Sequence, residues 1–257
     1  MFKNIGIIGG IIGNDLKEDF WGTLKKLSDM GYKGHEIGMG GKPQTKEECA
    51  EYKKKMDDLG MSVIALGTGN ILAPEPDLGP VFEKAHALDC KYVLTWWGPC
   101  DSYEKVVNDA KGYNRIGEAC RKAGLRFCYH NHDHEFRNVF NGKRAIDILL
   151  ENTDPQNVYL ECDVAWVTFG GGNPVEFLNA NRGRIGLVHM KDIAGMEKPV
   201  VFTAVGTGIV DVAGVGKAAG ETGVDWIIVE QDRPRTLTGM ETVAACYLNM
   251  KELGVAP

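Results

Sequence analysis

The chain has no long apolar run. No stretch of its 257 residues reaches the roughly 20 consecutive apolar positions that a helical membrane span requires. It has no basic surplus either. With 29 Lys and Arg against 35 Asp and Glu, a net charge of −6 gives no field to draw in a nucleic-acid backbone. The seven cysteines are an odd number, scattered, and include no Cys-x-x-Cys pair. Cys90, Cys128 and Cys162 lie in or beside apolar runs, so reduced structural thiols in a cytoplasmic setting are expected rather than a disulfide framework. Internal repeats, low-complexity tracts and interdomain linkers are missing as well. The amino end, MFKNIGIIGGIIGNDLKED, has no small-residue cleavage site and runs into acidic, helix-type sequence, so it reads as a first strand rather than a signal peptide. The G-x-G-x-x-G spacing is also absent. Gly6, Gly9, Gly10 and Gly13 follow the first strand, and Glu36 lies about where a ribose-binding acid would, but Ile8 stands where the first glycine is needed. A doubly wound dinucleotide fold and a nucleotide cofactor are therefore disfavoured.

What the chain does contain is a regular alternation of short apolar runs and longer amphipathic stretches. Expected strands are Asn4–Ile8, Gly34–Gly38, Ser62–Leu66, Tyr92–Trp97, Arg126–His130, Val158–Asp163, Ile185–His189 and Trp226–Glu230. Between them, WGTLKKLSDMG spaces Leu24, Leu27 and Met30 helically and stops at Gly31; similar patterns stop at Gly60 and Gly124. Hydrophobic residues at 44% and charged residues at 25% are ordinary for a globular domain. Eight strand–helix alternations without a composition break predict one α/β domain over residues 1–257, a single (β/α)8 TIM barrel. The longest gap, Asp192 to Ile209, carries Gly195, Pro199, Gly206 and Gly208 and is expected to line or cover the catalytic face.

Four of the strand ends carry metal-type donors: His130 in RFCYHNH, Asp163 in VYLECD, His189 in RIGLVH and Glu230 in WIIVE. Each alone has a plain structural reading, such as a hydrogen-bonded core histidine or a solvent-facing carboxylate. Together they lie where parallel barrel strands open and converge, which predicts one divalent-metal site. A mixed nitrogen and oxygen set suits Mn²⁺, Zn²⁺, Fe²⁺ or Co²⁺ better than Ca²⁺ or Mg²⁺. Alternation puts His132 on the face of His130, Glu161 on that of Asp163, and Lys191 on that of His189. Whether His130 or His132 is the first ligand is left open. A second inward acid on a buried strand is costly unless paired, so Glu161 is expected to support the ligands or donate a proton. Asp192 could orient a histidine or cap a turn; Asp133 and His134 read as a solvated loop, and His86 as structural. Trp97 and Trp166 could offer a sugar an aromatic platform, Glu36 could meet its hydroxyls, and Arg233, with Arg235, an anionic group. The alternative for the tryptophans is core packing, for Glu36 a turn cap, and for the arginines plain surface charge.

These motifs, Y-H-N-H, L-E-C-D-V-A-W, V-H-M-K-D, V-G-T-G-I-V-D and I-V-E-Q-D, resemble the sugar phosphate isomerase/epimerase family of xylose isomerase-like barrels over nearly the whole chain. The resemblance implies a divalent ion held at Asp163, His189 and Glu230. It also implies proton abstraction beside a carbonyl through a stabilised enediolate, on a small carbohydrate, sugar phosphate or cyclitol. Glu230 is the first choice of base and His132 the second, with Lys191 and Glu161 as proton donors or supports. One departure stands out: the family's epimerases carry glutamate where this chain has His130. The HNH pattern is more similar to inosose dehydratase and keto-sugar lyase members. The expected activity is thus isomerisation or epimerisation, with β-elimination on a keto-inositol or 3-keto-glycoside as the alternative. An apurinic-site endonuclease and a non-catalytic sugar-binding barrel are more distant readings. No nucleic-acid or membrane partner is expected, and homo-oligomerisation is left open.

Overall fold

The computed structural model describes residues 1–38, 43–68, 72, 76–233 and 236–257; Arg235 lies outside them. Its frame is a closed barrel of eight parallel strands: β1 Ile5–Ile8, β2 Gly34–Ile37, β3 Ser62–Gly67, β4 Tyr92–Thr95, β5 Arg126–His130, β6 Val158–Asp163, β7 Ile185–Met190 and β8 Trp226–Val229. Every strand pairs with its chain neighbours, and β1 closes on β8 through the register Ile5 to Ile227. The expected single barrel is the observed architecture, and the closure leaves no place for a doubly wound sheet.

Periodicity explains why these segments form strands. Burial is nearly continuous along each, as it must be when helices cover one face and the barrel interior the other. The interior is filled by Ile64, Ala65, Tyr92, Leu94, Cys128, Leu187 and Ile228. Glycine makes room for this layer: a Cβ on Gly6 would lie 2.2 Å from Ile64 Cδ1, and one on Gly34 2.6 Å from Ile64 Cγ1. Outside, a larger core joins strands to helices through Leu24, Leu27, Met56, Ile116, Phe127 and Val243. The helix stop at Gly31 is observed, with Gly31 in the left-handed region at φ 116°. Capping boxes start two helices, Thr45 with Glu48 and Thr238 with Glu241.

The two ends of the barrel are built differently. At the amino end, Asp225 accepts from Tyr92 Oη and pairs with Lys91 and, at 3.5 Å, with Arg126. At the carboxyl end, the segment after β7 forms a small hairpin, Asp192–Ile193 with Phe202–Thr203. Asp192 is fully buried and accepts from the backbone N–H groups of Ile193, Gly206, Gly208 and Val210. It therefore ties down the V-G-T-G-I-V loop rather than orienting a histidine. Among the described residues no helix is long and apolar enough to cross a membrane.

Candidate metal centre and active site

The four expected donors come together. One ligand atom from each of His130, Asp163, His189 and Glu230 lies within 4.8 Å of the others. Strand register explains the arrangement: Asp163 is level with His189, and His130 is level with Glu161. Glu161 thus enters one layer below Asp163, between the two imidazoles. His130 Nδ1 lies 2.8 Å from Glu161 Oε2, while its Nε2 faces Asp163 Oδ2 at 3.9 Å. His189 Nε2 lies 2.9 Å from Glu36 Oε2 and 3.2 Å from Glu161 Oε1, and its Nδ1 lies 2.8 Å from Glu230 Oε2. Buried carboxylates therefore take one ring N–H of each histidine from beneath and leave the other nitrogen facing the cluster. Metal-binding imidazoles are held in this way.

The charges do not balance. Five carboxylates, Glu36, Glu161, Asp163, Glu230 and Asp232, surround the buried ammonium of Lys191 and the two imidazoles. Lys191 Nζ is 2.9 Å from Asp163 Oδ2, 2.8 Å from Glu230 Oε2 and 2.9 Å from Asp232 Oδ1. Burial pushes the Asp163 carboxyl up to about 6, against the pull of Lys191. Burial, reinforced by Glu36, pushes Glu161 up to about 8. Burial opposes a charge on His189, yet Glu161, Glu36 and Glu230 hold its proton well above the usual imidazole range. Glu230 is buried too, but Lys191 and His189 keep it well below the usual carboxylate range. Burial, with the neighbouring His189 and His132, drives His130 well down, and burial with Lys191 takes His132 down to about 4. Surplus buried negative charge calls for a cation.

The donor chemistry fits a divalent ion. Asp163 Oδ1 is engaged by the Trp166 backbone N–H, which leaves Oδ2 with only the ionic contact of Lys191; Glu36 Oε1 is unpartnered, and Glu161 Oε1 has only the ionic contact of His189 at 3.2 Å. Two nitrogens and two carboxylates form a set suited to Zn²⁺, Mn²⁺, Fe²⁺ or Co²⁺.

The remaining expected site residues divide. The His132 ring is 5.0 Å from that of His130 and 5.8 Å from that of Trp166, and its Nδ1 has no partner. Trp166 is half-buried, with Lys191 Nζ 5.4 Å from its ring. Trp97 is 60% exposed and stands at the rim, 5.2 Å from His132 and 4.5 Å from His134. Glu36 is fully buried under His189, its Oε2 2.9 Å from the His189 Nε2, so it supports the imidazole. Arg233 is exposed, and its backbone carbonyl accepts from Gln231; nothing among the described residues brings its side chain to the cluster. His134 also departs from a solvated loop, because its Nε2 donates to the Gly98 carbonyl at 2.7 Å. His86 lies away from the cluster, bonded to the Ala123 carbonyl.

Two participants escaped sequence reasoning. Asp232 shares the face of Glu230 by the alternation that singled out Glu161, so its signal was available. Phe202 packs 5.6 Å from Trp166 and from Lys191 Nζ, brought there by the hairpin after β7. No strand-end pattern marks it.

Comparison with known proteins supplies the family. Inosose dehydratase of Geobacillus thermodenitrificans is 26% identical over 251 residues, covering 89% of this chain and 78% of that protein. Inosose dehydratase of Lacticaseibacillus casei is 29% identical over 149 residues, covering 52% of this chain but only 48% of the relative. A sugar phosphate isomerase/epimerase from Parabacteroides distasonis shares the fold with a TM-score of 0.79 and 23% identity, over 98% of this chain and 94% of that one. The family model described as xylose isomerase-like TIM barrel matches residues 24–246. The chain belongs to the xylose isomerase-like TIM barrel family.

Proposed function

We propose that this protein is a divalent-metal-dependent lyase that removes the proton beside the carbonyl of a keto-sugar or keto-cyclitol and expels a β-hydroxyl or β-alkoxy group. The observation that carries the reading is the pairing, at one mouth, of a neutral unpartnered imidazole with a buried ammonium: His132 and Lys191. Elimination needs one proton acceptor and one proton donor, and these two residues are of those types.

His130, Asp163, His189 and Glu230 would hold the ion. When bound, it would act as a Lewis acid that draws charge from the carbonyl and lowers the barrier to deprotonation. His132 takes the proton, since its ring is neutral and no hydrogen bond occupies Nδ1. Glu230, the first choice from sequence, serves less well because Lys191 and His189 engage its Oε2 at 2.8 Å and make it a weak base. Against burial, Asp163, Glu230 and Asp232 hold the Lys191 proton well above the usual lysine range, so Lys191 donates only to an oxygen departing as a strongly basic hydroxide or alkoxide, with Trp166 and Phe202 forming an apolar wall beside its ammonium. Glu161 and Glu36 orient the imidazoles. The curated relatives are named as a dehydratase, which accords with this direction.

Isomerisation or epimerisation is the second reading. It shares the deprotonation and differs in returning the proton, for which Glu230 would be the second acceptor. The charge of −6 speaks against an apurinic-site endonuclease, and a sugar-binding barrel would have no need of Lys191 buried against three carboxylates. The test is to incubate Mn²⁺-, Zn²⁺- or Co²⁺-loaded protein with keto-inositols, ketoses and 3-keto-glycosides in D₂O. Loss of water or aglycone supports the lyase. Deuterium in a retained skeleton transfers the assignment to an isomerase or epimerase. No exchange and no bound metal refutes both.

A further inference from the structure

Behind His132 lies a buried carboxylate that the proposed chemistry does not use. Glu135 is fully buried and is the second residue of the short helix His134–Arg137 that follows β5. Its Oε2 accepts the His132 backbone N–H at 2.9 Å, and its Oε1 accepts from Tyr129 Oη at 2.6 Å. His134 Nδ1 stands 3.4 Å from the same Oε2, and the His134 ring packs against Trp97, which flanks His132. A metal-type grouping of Cys100, His134 and Glu135 is present here, but each member already has a protein partner: Cys100 Sγ lies 3.8 Å from Tyr129 Oη and His134 donates to Gly98. The cluster is satisfied without an ion.

Burying a carboxylate is costly, and capping a four-residue helix does not require it, since an exposed acid would serve. What the burial does achieve is a fixed anchor for His132. Among the described residues the His132 ring makes no hydrogen bond; it is held by the rings of Trp97, His130 and Trp166, and by its own backbone. We propose that Glu135, itself held by Tyr129, is the positioning residue that fixes the His132 backbone and so aims its ring into the mouth. The inference rests on His132 being the proton acceptor. Displacing a reacting group by about 1 Å costs on the order of a hundredfold in rate, so an anchor of this kind acts on kcat.

The test uses the metal-loaded full chain, the substrate that reacts in the D₂O panel, and ¹⁵N-histidine labelling to follow each imidazole by NMR. Glu135→Gln should lower kcat by about tenfold to a hundredfold, leave KM within about twofold and metal content unchanged. The His132 ring signal should shift or split, while those of His130 and His189 stay in place. Tyr129→Phe should do the same more weakly. Unchanged His132 signals and unchanged kcat in Glu135→Gln overturn the proposal, whatever His132→Asn does. If His132→Asn keeps full turnover, the assignment of the base fails; shifted His132 signals in Glu135→Gln would still support the anchor. If Glu135→Gln does not fold, Tyr129→Phe decides by the same two readouts.

Discussion

The two ends of this barrel use the same side chains to opposite effect. At the amino end, Asp225 has two cations and a tyrosine hydroxyl around it, and the environment holds its pKa below the usual carboxylate range even though burial opposes this. At the carboxyl end, five carboxylates share one lysine and two histidines, and burial raises Asp163 and Glu161. One end is a satisfied ion cluster that closes the barrel floor. The other is over-supplied with acid, and its excess charge is met by protons on the raised carboxyls or by a cation. Charge balance thus separates the two ends, in accord with the rule that barrel chemistry lies at the carboxyl ends of the strands.

The comparison can be broken most severely at the mouth. His132→Asn should lower kcat by about 10²–10⁴-fold, the usual contribution of general base catalysis, with metal content unchanged by elemental analysis. Glu161→Gln, one atom type away, should weaken metal binding by about 10–100-fold in a competition titration, because it removes the acceptor under both imidazoles.

The ends should also respond oppositely to pH. Glu161 and Asp163 are raised in the fold to about 8 and about 6, so their protonated forms favour the metal-free fold. That contribution is complete below their unfolded values and is lost as pH rises through the folded ones. Below about pH 6.5 the lowered His35, His130 and His132 oppose this loss, so the metal-free protein should lose thermal stability between about pH 6.5 and pH 8, where Glu161 and His189 act alone. Over the same interval metal binding should strengthen, since the ion displaces protons from His189 and the acids. Asp225 is lowered instead, so its contribution is present above its unfolded value and lost in acid. Thermal melts across pH, with and without metal, check both signs. A flat metal-free profile from about pH 6.5 to 8 would contradict the charge surplus at the mouth.

The smallest effect belongs to the floor. Asp225→Asn should destabilise by about 1 kcal/mol, discounted because the side chain is a third exposed. A midpoint about 2–4 °C lower is expected, with turnover unchanged. The same acid-to-amide change that disables the mouth should leave chemistry at the floor untouched.

Much of the frame was legible in the chain. Strands are buried on both faces and read as apolar runs, helices end at glycine, and the two alternate eight times, so the barrel and the strand-end donors could be read by period alone. The grouping of His130, Asp163, His189 and Glu230 follows from those strand ends. Glu161 was correctly set on the face of Asp163, and Asp232 could have been found by the same rule. The place of Glu36 beneath His189 is not legible, because alternation gives the face of a side chain but not how deep another strand's histidine sits above it. Arg233 was proposed from charge alone, which carries no direction.

The amino-acid sequence by itself determined the barrel and which side chains point into its mouth, because both follow from local periods of two and 3.6 residues. Only the tertiary structure decided that Glu161 lies between two histidines, that Lys191 answers three carboxylates, that Phe202 reaches the pocket from a hairpin and that Glu135 anchors His132. These depend on the stagger between strands and on the path of loops. Stagger and loop path are set by packing between distant segments, and no local pattern records them.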